Sequence, residues 1–90
     1  MHTVAHKQKL IARVRRVRGQ LESIERALTD EKGCGQVVRT IAAARGAMNA
    51  LAAEVLCEHV DDHLGAPGVR LADRRAAAAE LSQIIRQFVG

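Results

Sequence analysis

Aromatic side chains are almost missing from this chain: Phe88 is the single aromatic residue among ninety, with no tryptophan and no tyrosine. Proteins that read single-stranded nucleic acid or RNA stack bases on aromatic platforms, so that class of function is disfavoured from the outset. Proline occurs once, at Pro67, and much of the 48% hydrophobic content is alanine, which is the composition of helices. Cysteine is scarce as well. Cys34 and Cys57 stand 23 positions apart with no hydrophobic signal run, which points to free thiols in a reducing cytoplasm and not to a disulfide framework. No stretch approaches membrane-spanning length, so no membrane partner is expected. No constellation of nucleophile, base and oxyanion donors suggests an enzyme.

What is present is helical pattern and positive charge. A chain of this length makes one domain, residues 1–90, and buries too little surface alone to be comfortable as a monomer, so an oligomer is expected. Charge is unevenly placed. Residues 1–28 carry Lys7, Lys9, Arg13, Arg15, Arg16, Arg18 and Arg26 against Glu22 and Glu25, a net +5, while residues 29–90 sum to −1. Such a concentration on one segment suits a polyanion, most simply duplex DNA, where neutralising phosphates and releasing counterions supplies affinity. A solvated helix face is the plainer alternative.

From Lys7 the apolar residues Leu10, Val14, Val17, Leu21, Ile24 and Leu28 alternate at steps of four and three, the seam pattern of a packed helix. This predicts a first helix over about residues 5–28. Arg13, Arg16 and Gln20 share one face away from the seam, and Arg15, Arg18 and Glu22 another. Gly19 interrupts the helix at some cost in stability, which predicts a close approach by another backbone. The polar, glycine-flanked segment Thr29 to Gly35 is a helix-to-helix turn. A second helix is predicted over about 36–64, with Val37, Ile41, Ala44, Met48, Leu51 and Val55 as its stripe and Met48 in the core. Gly65, Ala66, Pro67 and Gly68 end it. A third helix follows over about 71–88, with Leu71, Ala78, Leu81, Ile84, Ile85 and Phe88 as its apolar side. The expected fold is thus an all-α three-helix protomer with long helices and no helix-turn-helix, so DNA binding must use a surface of the oligomer.

Chemistry concentrates at the two ends of the second helix. His59 and His63 are one turn apart and share a face, where two neutral imidazoles can grip one metal ion. Cys34, at the other end, contributes a thiol whose deprotonated form binds metal or attacks electrophiles. An unbroken helix of that length holds Cys34 roughly 35 to 40 Å from the histidines, so one chain cannot easily close a site. Two antiparallel copies can, with Cys34 of each meeting His59 and His63 of the other. His2 offers a further ligand from an N-terminal arm. Imidazole and thiolate together suit Ni(II), Co(II), Zn(II) or copper ions over Mg(II) or Ca(II). HxxxH also arises by chance on solvated helix faces, and Glu58 precedes the first histidine where a zincin would need the acid after it. Cys57 points to another side of the helix and reads as a packing residue, and His6 as a surface histidine.

The segments HKQKL at 6–10, RVRRVRGQ at 13–20 and IAAARGAMNALAAEVLCEHV at 41–60, with the cysteine of the GCG turn between them, resemble the CsoR/RcnR/FrmR family of small helical bacterial repressors from end to end. The resemblance implies a ligand set of His2, Cys34, His59 and His63, similar to the nickel- and cobalt-responsive RcnR and DmeR branch, with Zn(II) also possible. A copper sensor of the family would carry a second cysteine where His63 stands. Formaldehyde sensors use the same cysteine with a nearby N-terminal amine, typically after a proline, where this chain has His2. The resemblance further implies a homotetramer, a dimer of antiparallel dimers forming a flat disc, on double-stranded operator DNA. Its DNA-facing residues would be Arg13, Arg16 and Arg45, with Lys7, Lys9 and Gln20 as weaker candidates. Glu80 is a conceivable partner for a liganding imidazole. The function expected is a cytoplasmic repressor released from DNA by nickel or cobalt to derepress an efflux gene. A formaldehyde sensor acting through Cys34 and a metal-storage protein with no DNA role are the alternatives.

Overall fold

The computed structural model describes residues 4–89, and among them there are helices and no strand. Three α-helices follow one another, α1 (Val4–Thr29), α2 (Cys34–Val60) and α3 (Leu71–Val89), with a π-helical turn at Asp61–Gly65 directly after α2. Among the described residues two compact units can be distinguished, one formed by residues 4–54 and the other by residues 55–89. None of the described helices is long and apolar enough to cross a membrane.

The first unit is an antiparallel hairpin of α1 and most of α2. Its turn is made by backbone chemistry: Lys32 N–H donates to the Ala27 carbonyl at 2.9 Å and Glu31 N–H to the Leu28 carbonyl at 3.1 Å, the paired bonds of a Schellman cap. Glu31 takes the left-handed conformation that this cap demands, with φ of 54°. Gly33 then opens α2, its carbonyl accepting from the N–H groups of Gln36 and Val37 at 3.0 and 3.2 Å. The helix therefore starts at Cys34, two residues before the expected boundary, and the thiol sits on its first turn. The antiparallel register is marked by an ion pair between Arg13 of α1 and Glu54 of α2 at 3.4 Å.

Inside the hairpin, each expected apolar stripe is divided. Val17, Ala27 and Ala44 are buried, and Leu10, Ile24, Val37 and Leu51 are half-buried, so one half of each stripe turns inward. The other half faces out: Val14, Leu21 and Leu28 on α1, and Ile41 and Met48 on α2, are all exposed. The reason is geometric, since a two-helix hairpin can cover only one side of each helix while an alternating four-and-three seam spans a wider face. Met48, expected in the core, is 51% exposed. Beyond its own helix, no atom of the described residues lies within 4 Å of where a Cβ on Gly19 would be, so the backbone approach expected there is not made among the described residues.

In the second unit, α3 packs against the π-helical turn. Helix two was expected to continue to about Leu64, but the α-helical pattern gives way at Asp61 to the wider i→i+5 turn that carries His63. The chain then extends at Ala66, with φ of −68° and ψ of 137°, the region into which a following proline forces its neighbour. Gly68, at φ of 83°, turns it toward α3. Ala77 is buried and Leu81 and Ile84 are half-buried, while Leu71, Ile85 and Phe88 remain exposed.

Candidate metal centre and nucleic-acid interface

His59 and His63 lie side by side, their ring centroids 5.1 Å apart and the planes inclined at 52°. α2 positions the first ring and the π turn the second. The Nε2 of His59 is 3.2 Å from the Ala77 carbonyl oxygen. A carbonyl only accepts, so this bond places the proton on Nε2 and leaves Nδ1 of the neutral ring as the free electron pair. The bond also ties the ring to α3, the kind of outer contact that orients a liganding imidazole. Around the two rings is an open recess of about 350 Å³ lined by His59, His63, Asp73, Ala76, Ala77 and Glu80. Glu80, a conceivable partner for a liganding imidazole on the sequence, lines the same recess as the histidines. Asp73 was not singled out, because nothing in the spacing indicated how α3 would meet the end of α2. The alanines Ala76 and Ala77, which in the sequence read as mere low complexity, provide the small side chains in the lining of the recess.

Two neighbouring imidazoles by themselves offer two nitrogen donors, fewer than the three or four protein ligands of a transition-metal site. No group of three or more His, Cys, Asp and Glu among the described residues is close enough together to hold a metal ion. The donors fit a borderline metal such as Ni(II), Co(II) or Zn(II), provided that further ligands arrive from elsewhere. Cys34 is exposed and is the first residue of α2, whereas His59 is its last but one, so the helix itself separates them. His2 falls outside the described residues. Cys57 is exposed, against its expected role in packing, and His6 is half-buried and not a plain surface group.

The basic residues of α1 gather differently. Lys9, Ala12, Arg13 and Arg16 line a second open recess, of about 320 Å³, within the hairpin. Lys7, Lys9, Arg16 and Arg45 are exposed, while Arg13 and Gln20 are half-buried. Glu54 lies among them, 3.4 Å from the Arg13 guanidinium and 3.7 Å from the Lys9 ammonium. That acid was missed by sequence reasoning, since only the helix register reveals that position 54 faces positions 9 and 13.

A family profile described as metal-sensitive transcriptional repressor matches residues 6–87. The chain belongs to that family, the CsoR/RcnR/FrmR repressors. Among its relatives is an uncharacterised protein encoded in the bioA 5′ region of Serratia marcescens, 42% identical over 98% of this chain and 97% of its own. A transcriptional repressor RcnR homolog from Escherichia coli is 40% identical over 70% of each chain. The fold is similar to that of a solved structure, a variant of the formaldehyde-responsive regulator FrmR from Salmonella enterica serovar Typhimurium in which a glutamate is replaced by histidine. The two share a TM-score of 0.90 and 36% identity, over 98% of this chain and 99% of the other. Family membership and the shared fold account for the all-helical protomer.

Proposed function

We propose that this chain is a repressor whose free form holds operator DNA and whose nickel- or cobalt-bound form lets go, derepressing a metal efflux gene. The observation that carries the reading is the outward half-stripe of α2. Ile41, Met48 and Val55 are 47%, 51% and 44% exposed and fall at seven-residue intervals, symmetric about Met48. An antiparallel pairing of two copies with the two-fold axis at Met48 sets Ile41 against the partner's Val55 and buries the stripe. The same register sets Cys34 opposite position 62 of the partner, between His59 and His63. One apolar pattern thus supports both the dimer and the closure of the N₂S donor set, to which His2 adds a fourth ligand. Two such dimers form the tetramer, a flat disc without a helix-turn-helix, and Arg13, Arg16 and Arg45 with Lys7, Lys9 and Gln20 face phosphates and groove edges.

When bound, a Ni(II) or Co(II) ion supplies a bond across the dimer seam. Everything else is done by the chain. His59 presents Nδ1 because Ala77 holds its Nε2 proton, His63 is carried beside it by the π turn, and Cys34 enters as thiolate from the partner. Ligation weakens DNA binding to the extent that the ligated tetramer differs from the free one, since a ligand shifts an equilibrium only by its differential affinity. The test is an anaerobic titration of reduced protein with Ni(II) or Co(II), reading thiolate charge-transfer absorption and duplex release together in wild type and His63→Ala. We expect one metal per protomer with DNA release, both lost in the variant. Unchanged DNA affinity in Ni(II), Co(II) and Zn(II) alike would sink the reading.

A second reading is favoured by the similarity to a formaldehyde-responsive regulator and by the exposure of Cys34. There the Cys34 sulfur adds to the aldehyde carbon, a C–S bond forms as the C=O π bond opens, and the thiol proton ends on oxygen. That reading predicts a hydroxymethyl adduct on Cys34 and DNA release without metal, with His63→Ala nearly silent.

A further inference from the structure

Glu54 is an acid set against a cluster of cations on α1. Its Oε1 lies 3.4 Å from the Arg13 guanidinium and 3.7 Å from the Lys9 ammonium, and those two cations share one recess with Arg16. The pairs are partly solvated, with the Glu54 side chain 29% exposed and those of Arg13 and Lys9 32% and 57%. The hold is also incomplete: Nε of Arg13 is buried and makes no hydrogen bond. Pairs of this kind are weak and exchange readily with a better anion.

We propose that Glu54 is an internal competitor for DNA phosphate, occupying Lys9 and Arg13 in the free protein and thereby setting both the affinity for duplex and its dependence on salt. This rests on the reading that the α1 face binds DNA. The physical argument is one of charge. A phosphate that docks on Arg13 must displace the carboxylate or sit beside it, and either way part of the gain from neutralising the phosphate is lost. Arg16 lines the same recess but is not among the cations that Glu54 pairs with, and is the one that the competitor leaves available. Removing the charge of Glu54 while keeping its shape then adds up to two cations per protomer to the set that can release counterions from DNA. Each cation newly engaged steepens the slope of log K against log salt by about 0.9. The affinity gain at low salt is about two- to fivefold for each protomer in contact, the range that the exposed ion pairs themselves represent.

The test uses fluorescence anisotropy on a mixed-sequence duplex of about 30 base pairs, from low to moderate salt, because phosphate contacts act on any sequence. Glu54→Gln is compared with wild type, with Glu31→Gln as a control of equal charge change in the hairpin turn, about 30 Å along α1 from Lys9 and beyond the screening length. Circular dichroism and gel filtration verify that both variants keep the fold and assembly. Tighter binding and a steeper salt slope for Glu54→Gln, exceeding those of Glu31→Gln, support the proposal. Equality with the control, or weaker binding because the acid instead props Arg13 toward DNA, overturns it. Arg16→Ala separates the two levels. If it weakens duplex binding while Glu54→Gln does nothing, only the competitor fails; if Arg16→Ala also binds as wild type, the DNA reading falls and the proposal with it.

Discussion

The two recesses of this chain differ in what they lack. The basic recess of the α1–α2 hairpin has all its parts within one protomer, even to an acid that answers two of its three cations. The histidine recess at the end of α2 has two rings, an oriented tautomer and two carboxylates on α3, yet no third donor in ligating position among the described residues. A phosphate surface tolerates being assembled from single chains, because each cation acts on its own phosphate. A transition-metal site does not, because three or four donors must converge within little more than 2 Å of one point. In the proposed dimer the incomplete site lies where two copies meet, so that ligand binding would report on the assembly.

The comparison breaks most sharply at Met48. In the single chain this side chain is half-exposed, so Met48→Glu should leave the hairpin folded, with circular dichroism close to wild type. In an antiparallel dimer centred there, two carboxylates would be buried against each other, at a cost on the order of 3 to 5 kcal/mol. Sedimentation should then show monomer at micromolar concentration, and cobalt should no longer develop thiolate charge-transfer absorption. A Met48→Glu protein that stays oligomeric and binds cobalt as wild type would place the interface elsewhere.

A smaller effect sharpens the other side. Arg16→Ala removes one cation from a recess complete in each chain, so duplex affinity should fall by a few-fold and the salt slope should become shallower by about 0.9 for each protomer in contact. Metal stoichiometry should not change. Loss of metal binding in this variant would mean that the two surfaces are not built independently.

How far these features could be read beforehand follows from the range of each signal. The three helices and their turns are local: alternating apolar steps, the glycines near Cys34, and the Gly-Ala-Pro-Gly stop mark them, except that the change from α to π geometry at Asp61 carried no signal. The pairing of the two histidines was legible too, since the His59 and His63 spacing survives the change from α to π geometry and the rings still meet at 5.1 Å. The division of each stripe into inward and outward halves was not legible. Position 17 and position 14 carry the same residue, valine, and only the helix that comes to lie against them decides that Val17 is buried and Val14 exposed. Glu54 and Asp73 escaped for the same reason, as their meaning depends on which residue of another helix lies opposite.

The smallest effect concerns the turn that joins the two helices of the hairpin. Glu31 occupies the left-handed position of the Schellman cap, with φ of 54°, where a side chain crowds the following carbonyl and glycine does not. The two capping bonds, from Lys32 N–H to Ala27 and from Glu31 N–H to Leu28, use backbone alone and survive substitution. Glu31→Gly should therefore raise stability, by about 0.5 to 1 kcal/mol once the greater freedom of glycine in the unfolded chain is set against the relieved strain. The gain would appear as a higher midpoint in urea with an unchanged slope. Alanine at the same position keeps the crowding and should show no such gain. If Glu31→Gly and Glu31→Ala shift the midpoint alike, the left-handed cap is not what strains this turn.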